Sequence, residues 1–187
     1  LTPTYGKLIA EPFERGFGTT VGNSLRRILL SSLEGAAVTS VKLNGALHEF
    51  TTMPGVLEDA TDIVLNVKGI LVRMHNDQPR SLMLKVKRKG PVTAGDIQTD
   101  PTVEVVNPDH HLLTLAEERG LEMEFAVRTG RGYVTAEELA PARREAGVIL
   151  VDASFSPVRR VRYRTEDTRV GKITIGTELG WGAAVSA

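Results

Sequence analysis

The 187-residue sequence has no cysteine. That excludes disulfides and thiolate metal sites, and fits a reducing cytoplasm. Aromatic residues are few, at 5%. Neither charge predominates: 23 Lys and Arg stand against 23 Asp and Glu, so no global field draws the chain to nucleic acid or a membrane surface. No apolar run approaches the ~18 residues a bilayer span needs, and no secretory signal opens the sequence. An initial methionine is also missing, so the natural N-terminus is expected to lie upstream of Leu1. What is present is ordinary for a globular protein: 41% hydrophobic and 25% charged residues, in a length that suits one domain or two small ones.

The most informative stretch is residues 14–35. Gly16 and Gly18 around Phe17 form a turn able to reach φ > 0. Thr19, Thr20 and Asn23 are candidate N-caps for a following helix, and Gly35 a candidate left-handed C-terminal cap. Val21, Leu25, Ile28, Leu29 and Leu33 recur at the spacing of one buried helical face. Leu30 projects about 140° from Leu25, in the sector of Asn23 and Arg27. A second face, mixed apolar and cationic, predicts contact with another chain. A stray exposed leucine is the alternative.

Tyr5–Ala10 reads as a short strand stopped by Pro12. After Gly35, Val38, Val41 and Leu43 form a strand, and Asn44-Gly45 signals a hairpin with residues 46–50 returning. Val56, Ala60, Ile63, Val64 and Val67 give a second helical stripe, opened by Pro54-Gly55 and closed by Gly69. Residues 70–74 read as a strand whose hairpin partner, closed by residues 76–79, alternates Leu82, Leu84 and Val86 with Met83, Lys85 and Lys87. Further strands are expected over 103–106, 111–115, 121–127, 148–151 and 172–175, with a polar, partly helical segment from Gly130 to Glu145. Val161 and Tyr163 alternate with Arg160, Arg162 and Arg164. The fold class is therefore α+β, with many short antiparallel strands and two clear helices.

Catalytic chemistry is hard to find. Residues 16–22 precede a helix, but their glycine spacing misses the dinucleotide fingerprint, and Gly-Asn-Ser stands where a Walker loop needs Gly-Lys-Ser. His48, His75, His110 and His111 do not make a metal site; the last two are adjacent and point to opposite sides of an extended chain. Glu58, Asp59 and Asp62 read as a solvated carboxylate face. No serine lies in a nucleophile elbow. Arg159 to Arg164 form the best nucleic-acid candidate, with Tyr163 as their only aromatic, and a solvated or salt-bridged face competes with it. No catalytic, cofactor or metal site is expected.

Several motifs together carry a resemblance. Glu14-Arg15-Gly16-Phe17-Gly18, Gly22-Asn23 and Leu25-Arg26-Arg27-Ile28-Leu29-Leu30-Ser31-Ser32 come first. Pro54-Gly55-Val56-Leu57-Glu58-Asp59, Gly130-Arg131-Gly132-Tyr133-Val134 and Val151-Asp152-Ala153-Ser154-Phe155-Ser156-Pro157-Val158 follow in order. The chain resembles the N-terminal domain of the bacterial DNA-directed RNA polymerase α subunit over about nine-tenths of its length.

The resemblance implies a non-catalytic, cytoplasmic scaffold that forms a homodimer and recruits the β and β′ subunits for transcription. It implies two interleaved subdomains: residues 1–34 with 158–187 for dimerisation, and an inserted strand-rich subdomain at 35–157 contacting the large subunits. The subunit-interface residues it suggests are Asn23, Arg26, Arg27, Leu30, Lys87, Val151 and Asp152, with Arg27 needed for β. No direct DNA binding or membrane contact is implied for this region. Two departures bear on these expectations. After Gly171 the tail cannot form the amphipathic helix usual in the family, which predicts a weakened dimer or residues missing before Lys172. No counterpart of the family's separate C-terminal domain is expected within these 187 residues.

Overall fold

In the computed structural model, residues 5–43, 53–140, 147–170 and 173–183 are described, with backbone alone beyond residue 166. The chain divides into two compact units, residues 1–34 with 156–187, and residues 35–155. In chain order the elements are β1 (Tyr5–Ala10), α1 (Phe17–Ser31), β2 (Glu34–Leu43), α2 (Ala60–Lys68), β3 (Val72–Met74) and β4 (Arg80–Lys87). Next come β5 (Gly90–Thr93), β6 (Ile97–Gln98), β7 (Val103–Val105), β8 (His111–Leu115), β9 (Gly120–Arg131) and β10 (Tyr133–Val134). Then follow α3 (Ala136–Leu139), β11 (Val148–Leu150), β12 (Ala153–Ser154), β13 (Val158–Val170) and β14 (Ile173–Ala183). The class is α+β, with antiparallel strand pairs and few helices.

The unit spanning residues 35–155 is built on a sheet ordered β6-β4-β9-β2-β3-β7, with β11 also paired to β2. A period of two sorts its side chains. Leu82 and Leu84 of β4 and Leu121, Met123, Phe125 and Val127 of β9 are buried, while Lys85 and Glu122 between them form a 3.0 Å ion pair outside. The inner residues cluster with Ile63 and Val67 of α2, Val92 of β5 and Leu112, Leu113 and Leu115 of β8. Each such side chain contributes about 1.5–3 kcal/mol by leaving water. A smaller cluster of Ala37, Ala153 and Phe155 brings the two ends of this unit together.

Helix α2 begins later than its apolar stripe predicts. Asp59 is the N-cap, its carboxylate accepting from the Asp62 N–H at 2.8 Å. Val56 instead bridges to Leu115, and the Leu57 N–H donates to the Thr114 carbonyl at 3.1 Å. The segment before Asp59 is thus a strap along β8, not a helical turn. The expected hairpin between residues 70–74 and 82–86 is not formed: β3 pairs with β2 and β7, while β4 pairs with β9 in an eight-residue ladder. That longer ladder aligns four buried residues of β9 with the inner face of β4, which β3's three residues cannot match. The Asn44-Gly45 turn, residues 46–50 and the Gly171–Lys172 junction lie outside the described residues.

In the other unit β14 lies between β1 and β13. The tail expected to carry only a short strand therefore forms an eleven-residue one. Helix α1 packs on β13 and β14. Its N-cap is Gly16 at φ +89°, with no side-chain cap, so the helix starts two residues before the threonines expected to cap it. It ends at Ser31, and Gly35 is already in β2.

Candidate assembly surfaces

The described residues contain no group of three metal-capable side chains. His110 Nε2 lies 2.8 Å from the Asn66 carbonyl, and His111 Nε2 lies 2.9 Å from Glu58 Oε1, each in a structural bond. His48 lies outside the described residues. Glu58 and Asp59, expected on a solvated face, are structural instead. Glu58 Oε2 accepts from the Thr114 N–H at 2.6 Å, and its Oε1 accepts from the Thr114 hydroxyl at 2.9 Å. Burial opposes the Glu58 charge, but the bonds from His111 and Thr114 outweigh it and hold the carboxyl below its ordinary pKa.

Helix α1 presents two faces, though not those its leucines suggest. The fully buried positions are Gly18 and Gly22. A Cβ added at Gly22 would stand 2.5 Å from Tyr163 Cδ2, so only glycine lets the ring lie against the helix. The Tyr163 hydroxyl then donates to Asn23 Oδ1 at 2.7 Å. Leu29, Leu30 and Leu33 pack on Val158 and Val161 of β13. Leu30 is therefore part of this small core and not the free outer leucine expected. A count of apolar residues alone ignores the two glycines, whose close approach turns that side of the helix to the sheet. A second side, about 100° round the helix from the glycines, carries Phe17 and Ile28, 56% and 52% exposed, with half-buried Val21 between them. Those three project within about 40° of one another. Arg26 and Arg27 are both exposed.

In the other unit Asp152 is a junction. Its Oδ2 accepts from Lys68 Nζ of α2 at 2.7 Å, and its Oδ1 accepts from the Ala136 N–H at the start of α3 at 2.8 Å. The Tyr133 hydroxyl lies against the same carboxylate, which pushes the phenol pKa up. The Lys68 ammonium and the Ala136 N–H bring the Asp152 carboxyl down to about 2. Neighbouring Val151 is 1% exposed and belongs to the main core, so its side chain is not a surface contact as expected. Strand alternation explains the split: Val151 and Asp152 point to opposite sides. Lys87 is exposed at the end of β4, opposite Gly120. Among the seven candidates, Asn23, Arg26, Arg27 and Leu30 share one helix, and Val151 and Asp152 are adjacent.

The sequence did not single out Phe17, Leu65, Lys68 or Tyr133 as surface residues. Leu65 and Tyr133 are 58% and 61% exposed. An aromatic immediately after the Gly130-Arg131-Gly132 turn was the available signal for the second. Arg160, Arg162 and Arg164 are exposed along β13 while Val161 is buried, and Arg164 pairs with Glu166 at 2.5 Å. The strand thus shows one exposed cationic face, with Arg164 in an ion pair.

Comparison with known proteins gives a consistent result. Residues 41–156 match the RNA polymerase Rpb3/RpoA insert domain family. A DNA-directed RNA polymerase subunit alpha from Geobacter metallireducens is 52% identical over 93% of this chain and 51% of its own length. The protein of the same name from Symbiobacterium thermophilum is 57% identical over 91% of this chain and 54% of its own. That from Rhodopirellula baltica is 55% identical over 93% and 53%. The chain spans about half the length of the curated relatives it matches.

Proposed function

The chain belongs to the RNA polymerase α-subunit family, and from that membership we propose that it is a non-catalytic scaffold for assembling a bacterial RNA polymerase. Residues 1–34 and 158–187 form the part that dimerises. Residues 35–157 form the inserted part that meets the large subunits. The work is cytoplasmic, and among the described residues no helix is long and apolar enough to cross a membrane.

The observation that carries this proposal is the exposed apolar stripe of Phe17, Val21 and Ile28 on α1. Large apolar side chains side by side on one helix face are a surface that gains by being covered. A second copy of the same helix is the simplest cover, since a two-fold interface uses one patch twice. Arg26 and Arg27, exposed on other sides of the same helix, are the cationic contacts for β, with Arg27 the principal one. Asn23 supports the surface indirectly, being bonded to Tyr163. On the inserted part, Lys87 and the Asp152 region face the large subunits.

A tagged copy expressed in bacterial cells should bring down β and β′, and sedimentation of the purified chain should give a dimer. Ile28→Glu should yield a folded monomer. Recovery of neither large subunit, or steeply salt-dependent DNA binding through Arg159 to Arg164 instead, would overturn the scaffold assignment.

A further inference from the structure

We propose that the outer face of the sheet in the unit spanning residues 35–155 holds a binding site for a small organic monocarboxylate, with the Arg128 guanidinium as the group that takes the carboxylate. None of the residues lining this site is among the assembly contacts named above.

Strand alternation makes the site. Phe125 and Val127 of β9 point into the core, so Glu124 and Arg128 face the other side of the sheet. Beside them β11 pairs with β2 and sets Val148 opposite Lys42. These residues, with Leu150 of β11 and Leu139 of α3, line a cavity of about 480 Å³, a volume typical of small-molecule pockets. One acidic side chain reaching in from a partner protein would leave much of that space empty.

The charges define the ligand. The Arg128 guanidinium carbon lies 5.8 Å from the centre of the Phe155 ring, which is itself buried. Its Nε is buried and has no hydrogen-bond partner among the described residues. A cation seated on an aromatic face and left with a bare donor is preorganised for an acceptor that arrives from outside. A carboxylate is the matching shape, since it takes two parallel N–H bonds from a guanidinium. Lys42 and Arg128 against Glu124 leave the cavity with one net positive charge. None of the three is in an ion pair among the described residues. One monoanion neutralises that charge, whereas the second charge of a phosphate monoester would meet Glu124 uncompensated. Leu139, Val148 and Leu150 give the cavity an apolar wall, which suits an alkyl or aryl body behind the carboxylate.

The test is calorimetric titration of the full chain with hexanoate, with hexanol and hexyl phosphate as its neutral and dianionic counterparts, beside a melting curve for each variant. Hexanoate should bind saturably with a Kd of about 1 mM or tighter. Hexanol and hexyl phosphate should each bind at least about tenfold more weakly. Arg128→Gln should weaken hexanoate binding by about tenfold or more, and Arg128→Lys, which keeps the charge without the planar fork, should lose severalfold. Glu124→Gln removes the repelling carboxylate, so it should tighten hexanoate severalfold and bring hexyl phosphate closer to it; it decides the matter even where the Arg128 changes unfold the chain. No saturable hexanoate binding, equal affinity for hexanol, or an affinity that neither a folded Arg128→Gln chain nor Glu124→Gln alters would overturn the site. So would binding of a glutamate-rich peptide in place of hexanoate, which would make the cavity a contact for a partner protein.

Discussion

Gly22→Ala inverts a familiar rule. In the middle of an exposed helix, alanine normally stabilises by about 0.8–1 kcal/mol relative to glycine. At Gly22 the added methyl would stand 2.5, 2.8 and 2.9 Å from three carbons of the Tyr163 ring. Ordinary carbon contact begins at about 3.5 Å, so the ring must retreat by roughly 1 Å. Overpacking of this kind costs about 1–3 kcal/mol. Moving the ring also loses the 2.7 Å bond from the Tyr163 hydroxyl to Asn23, a further ~0.5–1.5 kcal/mol. After the helical gain is subtracted, the net destabilisation is about 0.5–3.5 kcal/mol. At about 2–4 °C per kcal/mol for a chain of this length, the melting temperature should fall measurably. The assay is thermal and urea unfolding followed by far-UV circular dichroism, in the wild-type chain and in a Tyr163→Ala background. With the ring gone the obstacle is gone, and Gly22→Ala should become stabilising. A stabilising effect in the wild-type chain, or the same loss in both backgrounds, would refute the packing of α1 on β13 described above.

Two further predictions concern the charged residues. Folding lowers the Asp152 pKa from its ordinary 3.8 to about 2, so its stabilisation is full above about pH 4 and disappears as the pH falls toward 2. With the side chain partly in water the contribution is about 1–2 kcal/mol, and Asp152→Asn should flatten the acid limb of the stability profile; an unchanged profile in the variant would contradict the junction. Arg27→Ala should leave stability within about 0.5 kcal/mol of wild type, because the side chain is exposed. Its recruitment of β should nevertheless fall by about thirtyfold, which is roughly 2 kcal/mol, and normal β binding or a large drop in melting would count against the assigned surface.

Much of the strand content was legible in the sequence because strand alternation is local. Leu82 and Leu84 show their inner face by spacing alone, and the Asp59 carboxylate is a strong helix start once residues 53–58 are recognised as a strap. The family was legible too, from contiguous motifs such as Gly130-Arg131-Gly132-Tyr133-Val134. Pairing was not. Nothing local tells β4 to choose β9 over β3, because partner choice depends on which ladder buries the longer apolar face.

The candidate surface divides in the same way. Arg26 and Arg27 needed only helical spacing to be placed outside, since charged side chains avoid burial wherever the helix turns. Which leucine faces in was decided by Tyr163, 141 positions after Gly22 in the sequence. Its ring seats against Gly22, where the helix carries no side chain, and no count of apolar residues along α1 contains that information. Asp152 likewise reads as an ordinary surface carboxylate. Only the fold brings Lys68, Tyr133 and the Ala136 N–H around it, because an ion pair between residues 84 positions apart exists only after the tertiary structure has closed.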